Sequence, residues 1–172
     1  MYNIEILDIK ENDLEYRKYK EYKLNEKEIY YIGDKSNRSK IGIIKNKFEE
    51  IKFVFSFNYI GLLPQILFIQ EEKLIFLGAY NRVLCINEDN YKVLKQINFF
   101  EDIFFEFIKL EKKILIIFEM SIYMINNRGN LIWCYEAPDV IIDYQIKNNK
   151  LKVEFFDLNY NCIILLDTGK MK

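Results

Sequence analysis

The chain contains no histidine, and it has little alanine, proline, serine or threonine. Histidine is the commonest general acid or base and a frequent zinc ligand, so its absence removes the usual catalytic triads and histidine-containing zinc sites. The few serines lie in no Gly-x-Ser-x-Gly sequence, and the six glycines form no phosphate-binding loop. We therefore expect a protein that is not an enzyme and that has no cofactor or metal site.

Cysteine, long apolar runs and an excess of positive charge are also scarce. Cys85, Cys134 and Cys162 are far apart and lie in apolar runs, so we predict that they are core residues. No stretch approaches the ~18 apolar residues of a membrane span, and the first residues do not resemble a signal peptide. With 25 basic and 26 acidic residues, we expect no nucleic-acid partner. A cytoplasmic location follows as the default expectation.

What the chain does contain is many apolar residues, 51% of the total, and many aromatic residues, 16% of the total. Isoleucine, phenylalanine, tyrosine and valine are abundant, whereas only two alanines occur, and this composition favours strands over helices. A chain of 172 residues is large enough for one domain with a real core.

One apolar pattern recurs four times along the chain. Each copy has a run that ends before an Asn, Asp or Lys turn, and the last apolar residues are Ile44, Ile86, Ile125 and Leu166, spaced by 42, 39 and 41. A period near forty is typical of β-propeller blades. We predict an all-β single domain, residues 1–172, of four blade-like four-stranded antiparallel sheets. The approximate units are 11–60, 61–99, 100–138 and 139–172 with 1–10.

Four strands, a to d, can be placed in most units. The apolar run that ends before each turn predicts strand c, and the run before it predicts strand b. Both runs are nearly continuous apolar sequences, as in strands that are buried on both faces. Pro64 and Pro138 fall between strand d of one unit and strand a of the next, where a missing N–H is tolerated. In the first unit, residues 28–33 are the predicted strand b, and residues 11–25 fit either a strand or a short helix.

The fourth unit lacks a strand d, and residues 3–10 are a strand-like run that belongs to no unit. Because an open sheet edge favours aggregation, we predict that residues 3–10 pair with residues 162–167 and complete the last blade. A small closed β-propeller is the simplest result. An open propeller-like array that dimerises and a two-sheet sandwich remain as alternatives.

Two stretches resemble known families. Residues 126–133, Asn-Asn-Arg-Gly-Asn-Leu-Ile-Trp, and residues 166–170 resemble the blade turns of WD40-like and quinoprotein-like propellers. Residues 129–144 and 151–157 are similar to small stand-alone bacterial proteins of the immunity or antitoxin kind. This second resemblance implies a cytoplasmic, non-catalytic protein that binds a toxin domain.

We predict partner binding on the face that carries the d-to-a and b-to-c connections, by a monomer or a homodimer. Five apolar residues flank Glu101 and Asp102 in residues 99–105, and their aromatics lie either on a binding surface or between sheets. The first alternative is a glycoside hydrolase-like enzyme that uses loop carboxylates, and the second is a scaffold subunit. The predicted partner-binding residues are Tyr59, Tyr80, Arg82, Phe100, Glu101, Asp102 and Asp139.

Overall fold

The structure is a computed structural model, and it describes residues 2–8, 30–33, 40–98, 102–157 and 161–172. Regular structure in these ranges is β-strand, apart from one 3₁₀ turn at Gln70–Glu72. The β-branched and aromatic composition predicts this outcome. The strands are β1 (Tyr2–Asp8), β2 (Tyr30–Ile32), β3 (Lys40–Asn46), β4 (Ile51–Phe57), β5 (Gln65–Ile69), β6 (Leu74–Ala79), β7 (Arg82–Asn87), β8 (Val93–Asn98), β9 (Phe104–Lys109), β10 (Lys113–Phe118), β11 (Ser121–Asn126), β12 (Leu131–Glu136), β13 (Ile141–Lys147), β14 (Lys150–Phe155) and β15 (Asn161–Leu165).

These strands form four sheets, and the second and third sheets are antiparallel meanders in the orders β5-β6-β7-β8 and β9-β10-β11-β12. The fourth sheet has the order β13-β14-β15. Beside β15, an isolated bridge between Ile164 and Met171 begins a further position. The predicted strands of these three units agree with the observed ones to within two residues. The all-β, blade-like architecture is therefore confirmed.

Apolar side chains fill the spaces between consecutive sheets. One cluster, which includes Phe55 and Leu77, joins the first sheet to the second. Another, around Phe76 and Phe118, joins the second to the third, and a cluster that includes Trp133 joins the third to the fourth. Within the described ranges no cluster joins the fourth sheet to the first. Closure of the array between these two sheets stays a prediction.

The prediction that all three cysteines are core residues is correct for two of them. Cys85 and Cys162 are buried, and burial raises the pKa of the Cys85 thiol to about 11. Cys134 is exposed, because it alternates with the buried Trp133 along β12. The prediction failed there because β12 is the outermost strand of its sheet.

The prediction that residues 3–10 complete the last blade is wrong for the part that the structure describes. β1 pairs antiparallel with β3, from Tyr2 opposite Asn46 to Asp8 opposite Lys40. The physical reason is packing on both faces of β1: Leu7 lies in a cluster with Ile41, and Ile4 and Ile6 pack against the cluster between the first two sheets. The ion pairs Asp8–Lys40 and Glu5–Lys45 also match charges across this pair, whereas residues 162–167 contain no basic residue.

The first sheet therefore differs from the predicted unit, and its order is β1-β3-β4-β2. β1 occupies the position predicted for residues 28–33. The part of those residues in β2 lies instead on the far side of β4 and runs parallel to it, with Tyr31 opposite Ser56. Residues 11–25, predicted as a strand or a helix, lie outside the described residues.

The fourth unit is also displaced by two residues from the predicted alignment. Ile125 pairs with Ile114 on its strand b, and the residue that pairs with Leu151 in the same way is Ile164 rather than Leu166. A shift of two residues keeps every side chain on its face of the strand, so the hydrophobic pattern is the same in both registers. The sequence pattern alone therefore could not distinguish them.

Two glycines in the strands allow phenylalanine rings to lie directly against the backbone. A Cβ atom at Gly78 would lie 2.3 Å from Cζ of Phe104, and one at Gly42 would lie 2.1 Å from Cζ of Phe55. Phe104 belongs to the third sheet and Gly78 to the second, so this contact determines how closely the two sheets approach.

We predict that Gly78→Ala lowers the free energy of unfolding by about 1–3 kcal/mol, because the added methyl group overpacks the space of a fully enclosed ring. Urea titration monitored by circular dichroism measures the change. The double variant Gly78→Ala/Phe104→Leu should lose less free energy of unfolding than the two single variants lose together, as expected of residues in contact. Strictly additive losses would contradict this packing.

Candidate functional site

The connections lie at two ends of the array, which we call the connection end and the turn end. The connection end, formed by the d-to-a and b-to-c connections, comprises residues 58–64, 80–81, 102–103, 119–120, 137–140 and 156–157. The turn end, formed by the a-to-b and c-to-d turns, comprises residues 47–50, 70–73, 88–92, 110–112, 127–130, 148–149 and 166–169. The predicted partner-binding residues that the structure describes all belong to or adjoin the connection end, and they are Tyr59, Tyr80, Arg82, Asp102 and Asp139.

Asp102 is a structural residue of the connection end. It is 7% exposed, and its carboxylate accepts hydrogen bonds from the backbone N–H groups of Ile103 and Met120 and from the hydroxyl of Ser121. These bonds tie the start of β9 to the b-to-c connection of the same unit. Because its oxygens are occupied within the chain, Asp102 offers little to a partner.

Asp139 repeats this arrangement in the fourth unit, 37 residues after Asp102. Its carboxylate accepts the backbone N–H of Val140 at 2.7 Å and that of Asp157, also at 2.7 Å. Asp157 follows β14 as Met120 follows β10. The two aspartates that the sequence suggests as binding or catalytic acids therefore share a role in holding the connections.

Backbone bonds at this end also link consecutive units. The carbonyl of Tyr80 accepts the N–H of Phe104 at 2.6 Å, and the carbonyl of Glu119 accepts the N–H of Ile141 at 2.8 Å. Each bond runs from a b-to-c connection to the first residue of the next strand a. The connection end is thus a rigid framework for the side chains above it.

Tyr80 and Arg82 lie beside the β2 segment. A Cβ atom at Gly33 would meet both the Tyr80 ring and the Asn58 side chain within 3 Å. Arg82 donates from Nη1 to the carbonyl of Tyr31 at 3.0 Å. The structure therefore brings Tyr80 and Arg82 to one segment, whereas the Tyr59 ring contacts Lys40. Phe100 and Glu101 lie outside the described residues, so their binding role stays a prediction.

The most exposed apolar segment of the connection end is residues 59–63, which we call the apolar connection. Tyr59, Ile60, Leu62 and Leu63 are 40%, 45%, 41% and 60% exposed. Lys40 lies with its Nζ 4.8 Å from the centre of the Tyr59 ring, which places a cation beside the apolar surface. Contiguous exposed apolar residues with a polar rim are typical of protein-interaction sites.

Sequence reasoning identified Tyr59 but missed Ile60, Leu62 and Leu63. A signal was present, because residues 59–64, Tyr-Ile-Gly-Leu-Leu-Pro, are an apolar run in a segment predicted as a connection. Apolar residues in a connection have no strand that would bury them, and Pro64 limits how far a strand could extend.

The turn end is mostly polar, and several of its charged side chains form ion pairs, Lys73 with Asp89 among them. The amide oxygens of Asn46, Asn87 and Asn126 each accept two backbone N–H groups of the following turn. Two shallow clefts of about 470 and 480 Å³ lie here. Their rims carry polar contacts between consecutive units, which are Arg128–Glu72 at 3.0 Å and Lys113–Asp167 at 2.9 Å. Between the first and second units, the hydroxyl of Tyr2 donates a hydrogen bond to the carboxylate of Glu88 at 2.8 Å.

Comparison with known proteins identifies the fold. This chain matches the crystal structure of Saccharomyces cerevisiae Sqt1 with a TM-score of 0.53 and 12% identity, over 77% of this chain and 40% of that one. The dihydro-heme d1 dehydrogenase NirN is matched with a TM-score of 0.54 and 8% identity, over 77% of this chain and 32% of that one. The Pan2 WD40 domain of Neurospora crassa is matched with a TM-score of 0.48 and 15% identity, over 66% of this chain and 38% of that one.

The matches with Sqt1 and NirN show the fold alone, which is β-propeller-like. This chain spans less than half the length of each of the three structures. No protein-family model and no curated protein matches the sequence. In the described ranges, no helix has the length and apolar character needed to cross a membrane.

We predict that Asp102→Ala lowers the free energy of unfolding by about 2–4 kcal/mol, because it leaves several buried donors without an acceptor. Asp143→Ala is the matched control, since Asp143 is exposed and accepts one N–H, that of Tyr144. Its loss should stay below about 1 kcal/mol. Equal losses in urea titrations would show that Asp102 has no structural role.

Proposed function

We propose that this protein is a non-catalytic protein-binding module that holds its partner on the connection end. The observation that carries the proposal is the apolar connection, which exposes four large apolar side chains at the end of the sheets where backbone hydrogen bonds link the other connections. A partner that covers these side chains removes their apolar area from water, which favours binding.

The composition of this surface supports a protein partner. Leu62 and Leu63 supply apolar area, and Tyr59 supplies an aromatic ring with a polar hydroxyl, a combination that is common at interface hot spots. Lys40 lies beside the Tyr59 ring and forms an ion pair with Asp8, so the rim carries both signs of charge. A partner with polar groups around an apolar centre would be complementary to this surface.

We further propose that the partner is a bacterial toxin domain, which this protein neutralises in the cytoplasm as an immunity protein. The support is the resemblance of residues 129–144 and 151–157 to immunity proteins, together with a binding surface at the connection end. Such a protein acts by covering the toxin's active site or substrate groove. The stoichiometry that we propose is one monomer, or one subunit of a homodimer, per toxin domain.

The glycoside hydrolase alternative receives less support from the geometry. It requires loop carboxylates that are available to a substrate, in a pair about 5–10 Å apart. Asp102 and Asp139, two of its candidates, each accept hydrogen bonds from backbone N–H groups of their own unit. A scaffold subunit would use the same apolar connection, and the identity of the partner distinguishes it from an immunity protein.

The test is co-expression with the protein encoded by the adjacent reading frame, measuring growth and co-purification. We expect the intact chain to relieve growth arrest and to form a complex. Leu63→Glu should raise the Kd about 30-fold, because a hot-spot loss near 2 kcal/mol has that effect. Leu94→Glu is the control, since Leu94 is 54% exposed but lies on β8, away from the connection end.

Each outcome of this experiment bears on a separate part of the proposal. A tight complex that Leu63→Glu leaves intact would reject the apolar connection as the binding surface. An adjacent protein that arrests no growth, or forms no complex with the intact chain, would reject toxin neutralisation. Circular dichroism of both variants shows whether a loss of binding is a loss of folding.

A further inference from the structure

The outer face of the fourth sheet differs from the faces of the strands inside the array. On β14, Leu151, Val153 and Phe155 belong to the cluster that joins this sheet to the third. Because side chains alternate along a strand, Lys150 and Lys152 lie on the opposite face, which points away from the third sheet. The strands at the same position in the second and third sheets, β6 and β10, are mostly buried on both faces. The fourth sheet therefore presents lysines where the inner sheets present apolar side chains.

The register of β13 and β14 brings a further lysine to this face. Lys147 lies directly opposite Lys150, and residues that pair across strands share a face. The turn between them fixes this pairing, because Asn148 and Asn149 have φ angles of 50° and 60°, as a type I′ hairpin turn requires. Like charges that lie opposite each other on neighbouring strands are destabilising. The fold therefore retains a repulsion that a bound anion would relieve.

Two backbone hydrogen bonds place Lys170 and Lys172 on the same face. The N–H of Leu165 donates to the carbonyl of Lys170, and the N–H of Lys172 donates to the carbonyl of Ile163. Leu165 and Ile163 pair in turn with the two lysines of β14, so all of these side chains point the same way. The resulting surface, which we call the basic face, contains five lysines, and these are Lys147, Lys150, Lys152, Lys170 and Lys172.

Most of the positive charge of the basic face is not neutralised. Lys152 forms an ion pair with Glu154 at 2.7 Å. The other four lysines are exposed, and none of them forms an ion pair with a residue that the structure describes. In the second and third units, by contrast, Lys73 and Lys113 are paired with aspartates. The basic face therefore carries unpaired charge, although the whole chain has nearly equal numbers of basic and acidic residues.

The lysines form a strip that has the acidic residues of the face on one side. The row nearest the turn end carries three lysines and the next row carries two, whereas the third row carries Asp143 and Glu154 opposite each other. From the usual spacings between strands and along a strand, the strip is ~14 Å long and ~7 Å wide, and it runs across the strands. A rod-shaped polyanion can follow this strip without covering the acids, whereas a flat anionic surface would cover them as well.

The side chains of the strip favour the phosphates of a duplex. Its two rows contain neither an arginine that could read a base edge nor an aromatic ring that could stack on an unpaired base. Lysine binds phosphate as a point charge. An exposed ion pair with a single carboxylate contributes little, whereas a DNA duplex carries one charge per ~1.7 Å and releases condensed counterions when lysines bind it. A duplex therefore gains more from these lysines than an acidic protein does.

We propose that the basic face binds the phosphate backbone of duplex DNA, without preference for sequence. The expectation of no nucleic-acid partner rests on the charge of the whole chain, whereas a duplex meets one face and responds to the charge there. The basic face lies on the fourth sheet, and the apolar connection joins the first sheet to the second. The two surfaces are separate, so this proposal does not depend on the proposed function.

The test is the fluorescence anisotropy of a short labelled DNA duplex, titrated with the intact chain at several salt concentrations. Because four unpaired lysines displace counterions, the logarithm of the association constant should fall with the logarithm of the salt concentration with a slope of about −4. From a Kd of ~1 µM at about 25 mM NaCl, this slope weakens binding about 250-fold by about 100 mM NaCl. A duplex of scrambled sequence should bind equally tightly.

Two double variants with the same change of charge separate the basic face from general attraction. Lys147→Gln/Lys150→Gln should make the slope shallower by about 2, because two phosphate contacts are lost. Lys47→Gln/Lys92→Gln is the matched control and should leave the slope unchanged, since both lysines are exposed in turns of the first two units. The first variant removes a repulsion between paired lysines, so its stability in urea titrations should not fall. Its weaker binding is then not a loss of folding.

Three results would overturn the proposal. The first is an unchanged anisotropy at about 25 mM NaCl up to about 200 µM protein, far above the Kd expected of these contacts. The second is the same salt slope for the two double variants. The third is tighter binding to phosphatidylserine vesicles or to polyglutamate than to the duplex at equal ionic strength, which would assign the basic face to a membrane surface or to an acidic protein.

Discussion

The structure depends on burying both faces of the b and c strands. In β6, β7, β10 and β11 most side chains are inaccessible to water, because each sheet packs against one neighbour on either side. A single sheet of these strands would expose two apolar faces, so these units need neighbours on both sides. The glycine–phenylalanine contacts and the linking backbone hydrogen bonds at the connection end follow from this close stacking.

Polar contacts fix how consecutive sheets and their connections are aligned, which apolar packing alone does not do. At the connection end, Asp102 and Asp139 hold equivalent backbone groups in consecutive units, and at the turn end one polar contact joins each pair of neighbours. Exposed ion pairs contribute little stability individually. Their contribution is to orientation, as is that of Asp102, which is buried, and of Asp139, which is half-buried. The exposed apolar residues above that framework are then available to a partner.

Sequence reasoning located most strands because period, turn residues and proline positions all depend on local chemistry. It misplaced β1, which pairs with a strand more than thirty residues away, where its apolar side chains pack on both faces. It also placed Asp102 among the binding residues. The sequence around an acid beside aromatics is the same whether its carboxylate faces solvent or accepts hydrogen bonds from the chain itself. Leu62 and Leu63 were overlooked because their exposure depends on how the chain travels between two sheets.

Strand formation, strand length and the recurrence of a sheet module of about forty residues can all be read from the sequence. These properties follow from each residue and its near neighbours. The folded chain is needed to know which strands pair at the two ends of the array, which carboxylates are buried and which apolar side chains stay in contact with water. Those outcomes depend on contacts between residues that are distant in the chain, and a periodic pattern is compatible with several such arrangements.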